Sequence, residues 1–174
     1  MGAITIETTI AAPRERVWGI LADLKSIPDY HPWVTRAVLA PGNKTGVGAG
    51  RMVHMRDGKN WVNERVTDWD EGVRQVFEMV STSYPWSSRV VATELADEAG
   101  RHTRVRVTVN YRFKFGPIGL ALDYLFLRNG VHRLITDSLI GLKSFAETGR
   151  SSSDWMMAPS GNWVQPHEVA GVGA

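Results

Sequence analysis

Hydrophobic and polar residues alternate along "AITIETTI". Ile4, Ile6, Thr8 and Ile10 share one parity and Thr5, Glu7 and Thr9 the other, which predicts a half-buried opening strand. The period then lengthens: Val17, Ile20, Leu21 and Leu24 in "APRERVWGILADL" fall at helical spacing, with Pro13 placed as a first-turn residue. The prolines of "SIPDYHPW" end that helical region. "VTRAVLA" reads as a second strand, and "PGNKTGVGAG" as a mobile hairpin loop. No helix pattern follows its glycines, so they do not form a phosphate cradle.

From Gly50 to Phe115, segments of period two follow one another: "RMVHMRD", "NWVNERVTDW", "VRQVFEMVST", "SSRVVATEL" and "TRVRVTVNYRFKF". The joints "DGKN", "DWDEG" and "ADEAGRH" carry turn chemistry at a spacing that favours hairpins. In the last strand Val105, Val107, Val109, Tyr111, Phe113 and Phe115 fall on one face. Arg104, Arg106, Thr108, Asn110, Arg112 and Lys114 fall on the other. Helical period returns in "GPIGLALDYLFLRNGVHRLITDSLIGLKSFAETG", with Leu120, Leu127, Val131, Leu134, Leu142 and Phe145 on one stripe and Gly149 as a stop. A helix of about thirty residues runs roughly 45 Å, enough to cross a whole sheet.

The predicted order is a strand, two short helices, further antiparallel strands to a total of six or seven, then one long C-terminal helix: an α+β arrangement. A sheet of that size curls. A long helix laid along it touches best at the edges and leaves room for a pocket. Tyr30, His31 and Trp33 put three rings into four residues of a connection. That density is expected if the loop closes over the pocket's mouth.

Composition adds capacity to this picture. The chain has 174 residues, 43% hydrophobic and 22% charged, which suits one domain, expected over residues 1–149. Seven tryptophans and six methionines exceed the usual and serve as packing or lining. Residues 150–174 form a tail rich in Ser, Gly, Pro and Ala. Its Trp155, Met156, Met157 and Trp163 favour docking over a free linker.

Several function classes drop out. There is no cysteine, which removes disulfides and thiolate chemistry. The N-terminus lacks a basic region followed by an apolar run, and no stretch approaches the ~20 apolar residues of a membrane helix, so a cytoplasmic protein without an integral membrane segment is expected. A net charge of +2 does not point to nucleic acid. The basic face of Arg104, Arg106, Arg112 and Lys114 reads as solvated sheet surface. The histidines do not pair with carboxylates at ligand spacing, so no metal is expected, and no other cofactor is implied. No nucleophile elbow or serine–histidine–acid spacing is present. The partner expected is a hydrophobic small molecule, and a homodimer is compatible with the chain.

The element order, with "APRERVWGILADLKSIPDYHPWV" at the front and "GPIGLALDYL…LKSFAE" at the back, resembles the START-like helix-grip superfamily (SRPBCC) from about Ile4 to Thr148. The polyketide cyclase/dehydrase-like branch is the nearest in look. The resemblance implies a curved antiparallel sheet wrapped around the long helix, with a hydrophobic cavity between them. Members include aromatase/cyclases, lipid and quinone carriers and hormone-type sensors, and fold does not choose among them. Aromatase/cyclases place a Trp, a small polar residue and an Arg at alternate positions of one strand facing the cavity. "WVNERV" offers Trp61, Asn63 and Arg65 at that spacing, which implies that Arg65 polarises a carbonyl oxygen.

Two orientations of this strand remain open. Hydrophobicity allows Val62 and Val66 to face inward with Arg65 in solvent, whereas the resemblance turns Arg65 inside, where it needs a carboxylate or ligand oxygen. His54 likewise is either a surface residue opposite Val53 and Met55 or a cavity group with a near-neutral pKa suited to acid/base work. Arg65, Tyr30 and His54 are the catalytic candidates. His31 is read as an exposed loop residue, and His132 as lying beside the helical stripe. Trp33, Trp61, Asn63, Phe77, Met79, Trp86, Val107, Val109, Tyr111, Leu127, Val131 and Leu134 are the expected lining, and the buried hydroxyl of Tyr111 needs a partner. The leading function is polyketide cyclase/dehydratase-like chemistry. The alternative is a non-enzymatic carrier or sensor for a lipid, quinone or isoprenoid.

Overall fold

A computed structural model describes residues 2–114, 128–157 and 163–164. The opening strand β1 (Gly2–Ile10) lies antiparallel to the last long strand of the sheet, with Gly2 opposite Tyr111 and Ile10 opposite Thr103. Between them in sequence come α1 (Arg14–Ala22), α2 (Ile27–Tyr30), β2 (Val34–Leu39), β3 (Gly50–Met55), β4 (Trp61–Asp70), β5 (Arg74–Thr82), β6 (Trp86–Glu98) and β7 (His102–Phe113). The sheet order is β1-β7-β6-β5-β4-β3-β2. Every link from β2 to β7 therefore joins neighbours, while β1 and β2 sit at opposite edges. The two short helices bridge that gap.

Helix α3 (Arg128–Thr148) packs its buried Val131, Ile135, Leu139, Leu142 and Ala146 toward the sheet. At 1.5 Å per residue its 21 residues run about 32 Å. Its predicted earlier portion, including Leu120 and Leu127, lies outside the described residues, as does Phe115. After α3, a 3-10 turn (Ser152–Asp154) precedes β8 (Met156–Met157), which pairs with β9 (Trp163–Val164).

The alternation read from the sequence sets the inner face. Ile4 and Ile10 from β1, Val105 and Val109 from β7, and Val17, Trp18 and Leu21 from α1 belong to one buried cluster with Leu139, Leu142 and Ala146 of α3. Register shifts interrupt β4 against β5 at Asn63/Glu64 and Val66/Asp68, and β6 against β7 at Trp86/Ser88. Such irregularities bend strands and increase the local twist, which curls the sheet around the helix. Helix α1 is pinned by a shared carboxylate. Glu71 accepts from Trp18 Nε1 at 2.5 Å and Trp69 Nε1 at 2.7 Å, and the two indoles meet edge to face at 4.9 Å.

Helix α2 is held from both sides. Against α3 the approach is so close that a methyl on Gly141 would run into the Tyr30 carbonyl. On the other flank, Arg56 donates to Pro32 O at 2.6 Å and to Ser153 O at 3.1 Å, tying the tail to the loop after α2. Trp163 sits edge to face on Trp33 at 5.3 Å, and Arg56 lies 5.1 Å from the Trp163 ring centre. Trp155 is buried. The described part of the tail is thus packed on the outer side of the loop whose three rings stand out in the sequence.

Gly141→Ala is expected to force α3 away from α2 and cost about 1–3 kcal/mol by overpacking. Gly130→Ala on the same helix, where nothing lies within 4 Å among the described residues, should be neutral or stabilising through helix propensity. Urea unfolding of both variants checks this, and equal effects would contradict the close contact.

Candidate functional site

A cavity lies between the inner face of the sheet and α3. The space open to the centre of a water molecule is about 130 Å³, against the roughly 10–15 Å³ that one water requires. Helix α3 contributes Val131, Leu134, Ile135, Ser138, Leu139 and Leu142, and α2 with its loop contributes Ile27, Tyr30, His31 and Val34. The sheet supplies Val53, Met55, Val62, Phe77, Trp86, Val91, Val107, Val109 and Tyr111. The walls are mostly aliphatic and aromatic.

A charged cluster interrupts them. Arg51 and Glu64 stand directly opposite on β3 and β4, at inward parity with Val53 and Val62. Arg51 Nε and Nη2 each reach Glu64 Oε1 at 2.8 Å, and Arg51 Nη1 donates to Leu24 O at 3.2 Å. The guanidinium rests 4.4 Å from the Phe77 ring centre. From β6, Arg89 Nη2 reaches the second Glu64 oxygen at 3.3 Å while lying 5.3 Å from the Trp86 ring centre. Glu64 and Arg51 side chains are only 4% and 5% exposed; Arg89 is 23% exposed. A buried carboxylate is tolerated only when paired and hydrogen-bonded, and two guanidiniums meet that condition.

The neighbouring groups respond to this setting. Burial pushes the Tyr30 phenol above its ordinary pKa, although Arg51, which hydrogen-bonds it, pulls the other way. Tyr30 is therefore protonated at neutral pH. Burial away from water holds the His31 imidazole down to about 3, reinforced by the positive charges of Arg89 and Arg51. His31 is neutral at neutral pH, and its Nδ1 has no hydrogen-bond partner among the described residues. Burial also raises Tyr84, which stacks on Trp86 at 4.6 Å. Gln75 and Thr93, opposite each other on β5 and β6, complete the polar wall, and Gln75 Oε1 is buried without a partner among the described residues.

The predicted site residues divide. Tyr30, Phe77, Trp86, Val107, Val109, Tyr111, Val131 and Leu134 line the cavity. Arg65 does not: it is exposed on the outer face, paired in register with Glu78. Trp61 and Asn63 share that outer face, because Val62 and Val66 take the inner one and side chains alternate strictly along a strand. His54 points outward as well, since Arg51, Val53 and Met55 occupy the inner positions of β3. Met79 packs against the core without lining the cavity, and Leu127 lies outside the described residues. Trp33 faces the tail; its Nε1 donates to Asp137 Oδ2 at 2.7 Å, so Asp137 anchors the loop. His31, read as exposed, lines the cavity.

Arg51, Glu64, Arg89 and Gln75 escaped sequence reasoning. The signal was present in parity: Arg51 shares a face with Val53 and Met55, Glu64 with Val62 and Val66, and Arg89 with Val91, Thr93 and Leu95. Opposite charges at inward positions of adjacent hairpin strands are the mark of a buried pair. Among the described residues no group of His, Asp or Glu is placed to hold a metal, and no helix is long and apolar enough to cross a membrane.

A curved seven-strand antiparallel sheet closed on a C-terminal helix around a cavity defines a helix-grip protein. The chain belongs to the family described as polyketide cyclase / dehydrase and lipid transport, whose model matches residues 1–147. Similar solved structures include a protein from Thermus thermophilus (21% identity, TM-score 0.69, covering 83% of this chain and 97% of that one). XoxI from Bacillus cereus is similar too (16%, TM-score 0.67, 83% and 94%), as is Ara h 8.0201 (16%, TM-score 0.66, 83% and 97%). At these identities the likeness speaks for the fold. No curated protein matches the sequence. Family and fold fit a protein that binds a hydrophobic ligand.

Glu64→Gln leaves two guanidiniums facing each other and should cost about 3–5 kcal/mol in urea unfolding; a loss near zero would mean the cluster is solvated. The depressed His31 sets a pH dependence. The unfolded imidazole takes a proton near pH 6.5, which the folded one refuses until about 3. Stability should therefore fall as pH drops through 6.5, and this contribution should level off below about 3. His31→Asn should flatten that slope, measured by urea midpoints at about pH 7.5 and about pH 5.

Proposed function

We propose that the protein binds an apolar, carbonyl-bearing chain in this cavity and closes it into a ring with loss of water, as a polyketide cyclase/dehydratase-like enzyme. The observation that carries the reading is the convergence of Arg89, Tyr30 and His31 on one wall of an otherwise apolar chamber. Arg89 takes the role the sequence offered to Arg65. Its guanidinium holds a ketone oxygen and stabilises the enolate or alkoxide that forms there. The Tyr30 oxygen accepts from Arg51, which leaves its own proton for a guest's oxygen. His31 is neutral and has an open nitrogen, so it receives the α-proton of a carbon flanked by two carbonyls. Such a proton is the most acidic one on the guest's chain, and the enolate charge that Arg89 stabilises favours the imidazolium as it forms. Carbon–carbon bond formation then places an alkoxide on Arg89. The imidazolium returns its proton to the alkoxide, giving a hydroxyl. Neutral His31 then removes the adjacent hydrogen as the hydroxyl departs with the Tyr30 proton as water, and the proton on His31 restores Tyr30. The curved walls fold the flexible chain beforehand, and such orientation can supply several kcal/mol.

A second reading, a carrier for a lipid, quinone or isoprenoid, is favoured by the mostly apolar lining and by the engagement of Arg51 and Glu64 with each other. Incubation with a linear poly-β-ketone, followed by absorbance of the aromatic product, separates the two. Arg89→Ala should lower kcat about 100-fold, in line with loss of an oxyanion donor, and Arg65→Ala on the outer face should change nothing. Absence of turnover together with co-purified lipid in native mass spectra would select the carrier.

A further inference from the structure

The described part of the cavity wall has more positive than negative charge. Among the described lining residues the ionised groups at neutral pH are two guanidiniums, Arg51 and Arg89, and one carboxylate, Glu64. Tyr30 and His31 are neutral there. The described lining therefore carries one more positive than negative charge.

Hydrogen-bond accounting locates it. Arg51 has two contacts with Glu64, one with Leu24 O and one with Tyr30. Arg89 has a single 3.3 Å contact with Glu64 and its position over the Trp86 ring. A guanidinium carries five N–H donors in a fixed fork, so most of those on Arg89 have no acceptor among the described residues. Arg89 is 23% exposed, so water can reach those donors, but the part of the fork that lines the cavity would lose it to an apolar guest. Water can serve while the cavity is empty, but a guest that expels the water must bring acceptors of its own.

We propose that the guest bears a single negative charge, a carboxylate, seated on Arg89 with its apolar body against Trp86, Val107, Val109 and Leu134. This rests on the reading of the cavity as a ligand site and deepens it: the compound is presented as the free acid. A monoanion balances the charge of the described lining, whereas a neutral ester leaves it standing and a dianion reverses it. The carboxylate is planar and matches the guanidinium fork with two parallel hydrogen bonds.

Calorimetric titration of the full chain with octanoate, octan-1-ol and methyl octanoate at neutral pH tests this. Octanoate should bind about tenfold or more tightly than the other two, the difference a charge-assisted pair makes. Arg89→Gln should bring octanoate down to the level of the alcohol, and Arg89→Lys should keep much of the preference. If alcohol and ester match the acid on the unaltered chain, the guest is neutral; the proposal then fails and the cavity reading stands. If Arg89→Gln retains the preference, the anion sits elsewhere and the proposal fails. If none of the three binds, the cavity reading falls and the proposal with it.

Discussion

A carboxylate that has been taken out of water must be surrounded by donors, and the placement of Glu64 imposes that demand on the whole sheet. Its two oxygens are met by Arg51 from the next strand and Arg89 from two strands away, while Arg51 also reaches back to the Leu24 carbonyl. One ionic cluster thus fixes the relation of β3, β4, β6 and the connector between α1 and α2. The gain in stability over a purely apolar wall is small at best, since charge pairs in low dielectric roughly repay their own desolvation. What the cluster adds is polarity at a defined spot in an otherwise apolar cavity.

Polarity then governs the neighbouring groups. The same positive charges that satisfy Glu64 work with burial to keep His31 neutral, and Arg51 tempers the effect of burial on Tyr30. An imidazole and a phenol held uncharged beside a guanidinium with spare donors form a site able to accept charge as it develops on a guest. Both the cyclase reading and the carboxylate inference draw on that property, one at the stage of reaction and the other at the stage of binding.

Helix α2 and its loop form part of this wall, and the loop is held by several ties. Gly141 lets α3 approach the Tyr30 backbone closely, Asp137 holds the Trp33 indole, and Arg56 links the loop to the tail. Arg56 and Arg133 flank the paired rings of Trp163 and Trp33 on the outer surface, with Arg133 5.6 Å from the Trp33 ring centre. Contacts between a cation and an aromatic face are worth about 0.5–1 kcal/mol when exposed.

The architecture was legible in the sequence because period carries it. Alternation in "TRVRVTVNYRF" and the 3.6-residue stripe of "VHRLITDSLIGL" each name one face without help from the rest of the chain, and hairpin joints leave little choice of neighbour. Which ionisable residues enter the cavity was not settled so directly. Val62 and Val66 turn Arg65 outward and draw Glu64 inside, yet a lone inward glutamate reads as an error until Arg51 and Arg89 are brought to it. That meeting joins residues 51, 64 and 89, across strands whose register includes a bulge beside Glu64. His31 shows the same limit: a loop residue looks exposed in sequence, and only the packing of α2 against α3 puts it on an inner wall. Local period determines faces, whereas charge compensation is a property of the assembled sheet, because the energy of a buried ion depends on what stands within a few ångströms in space.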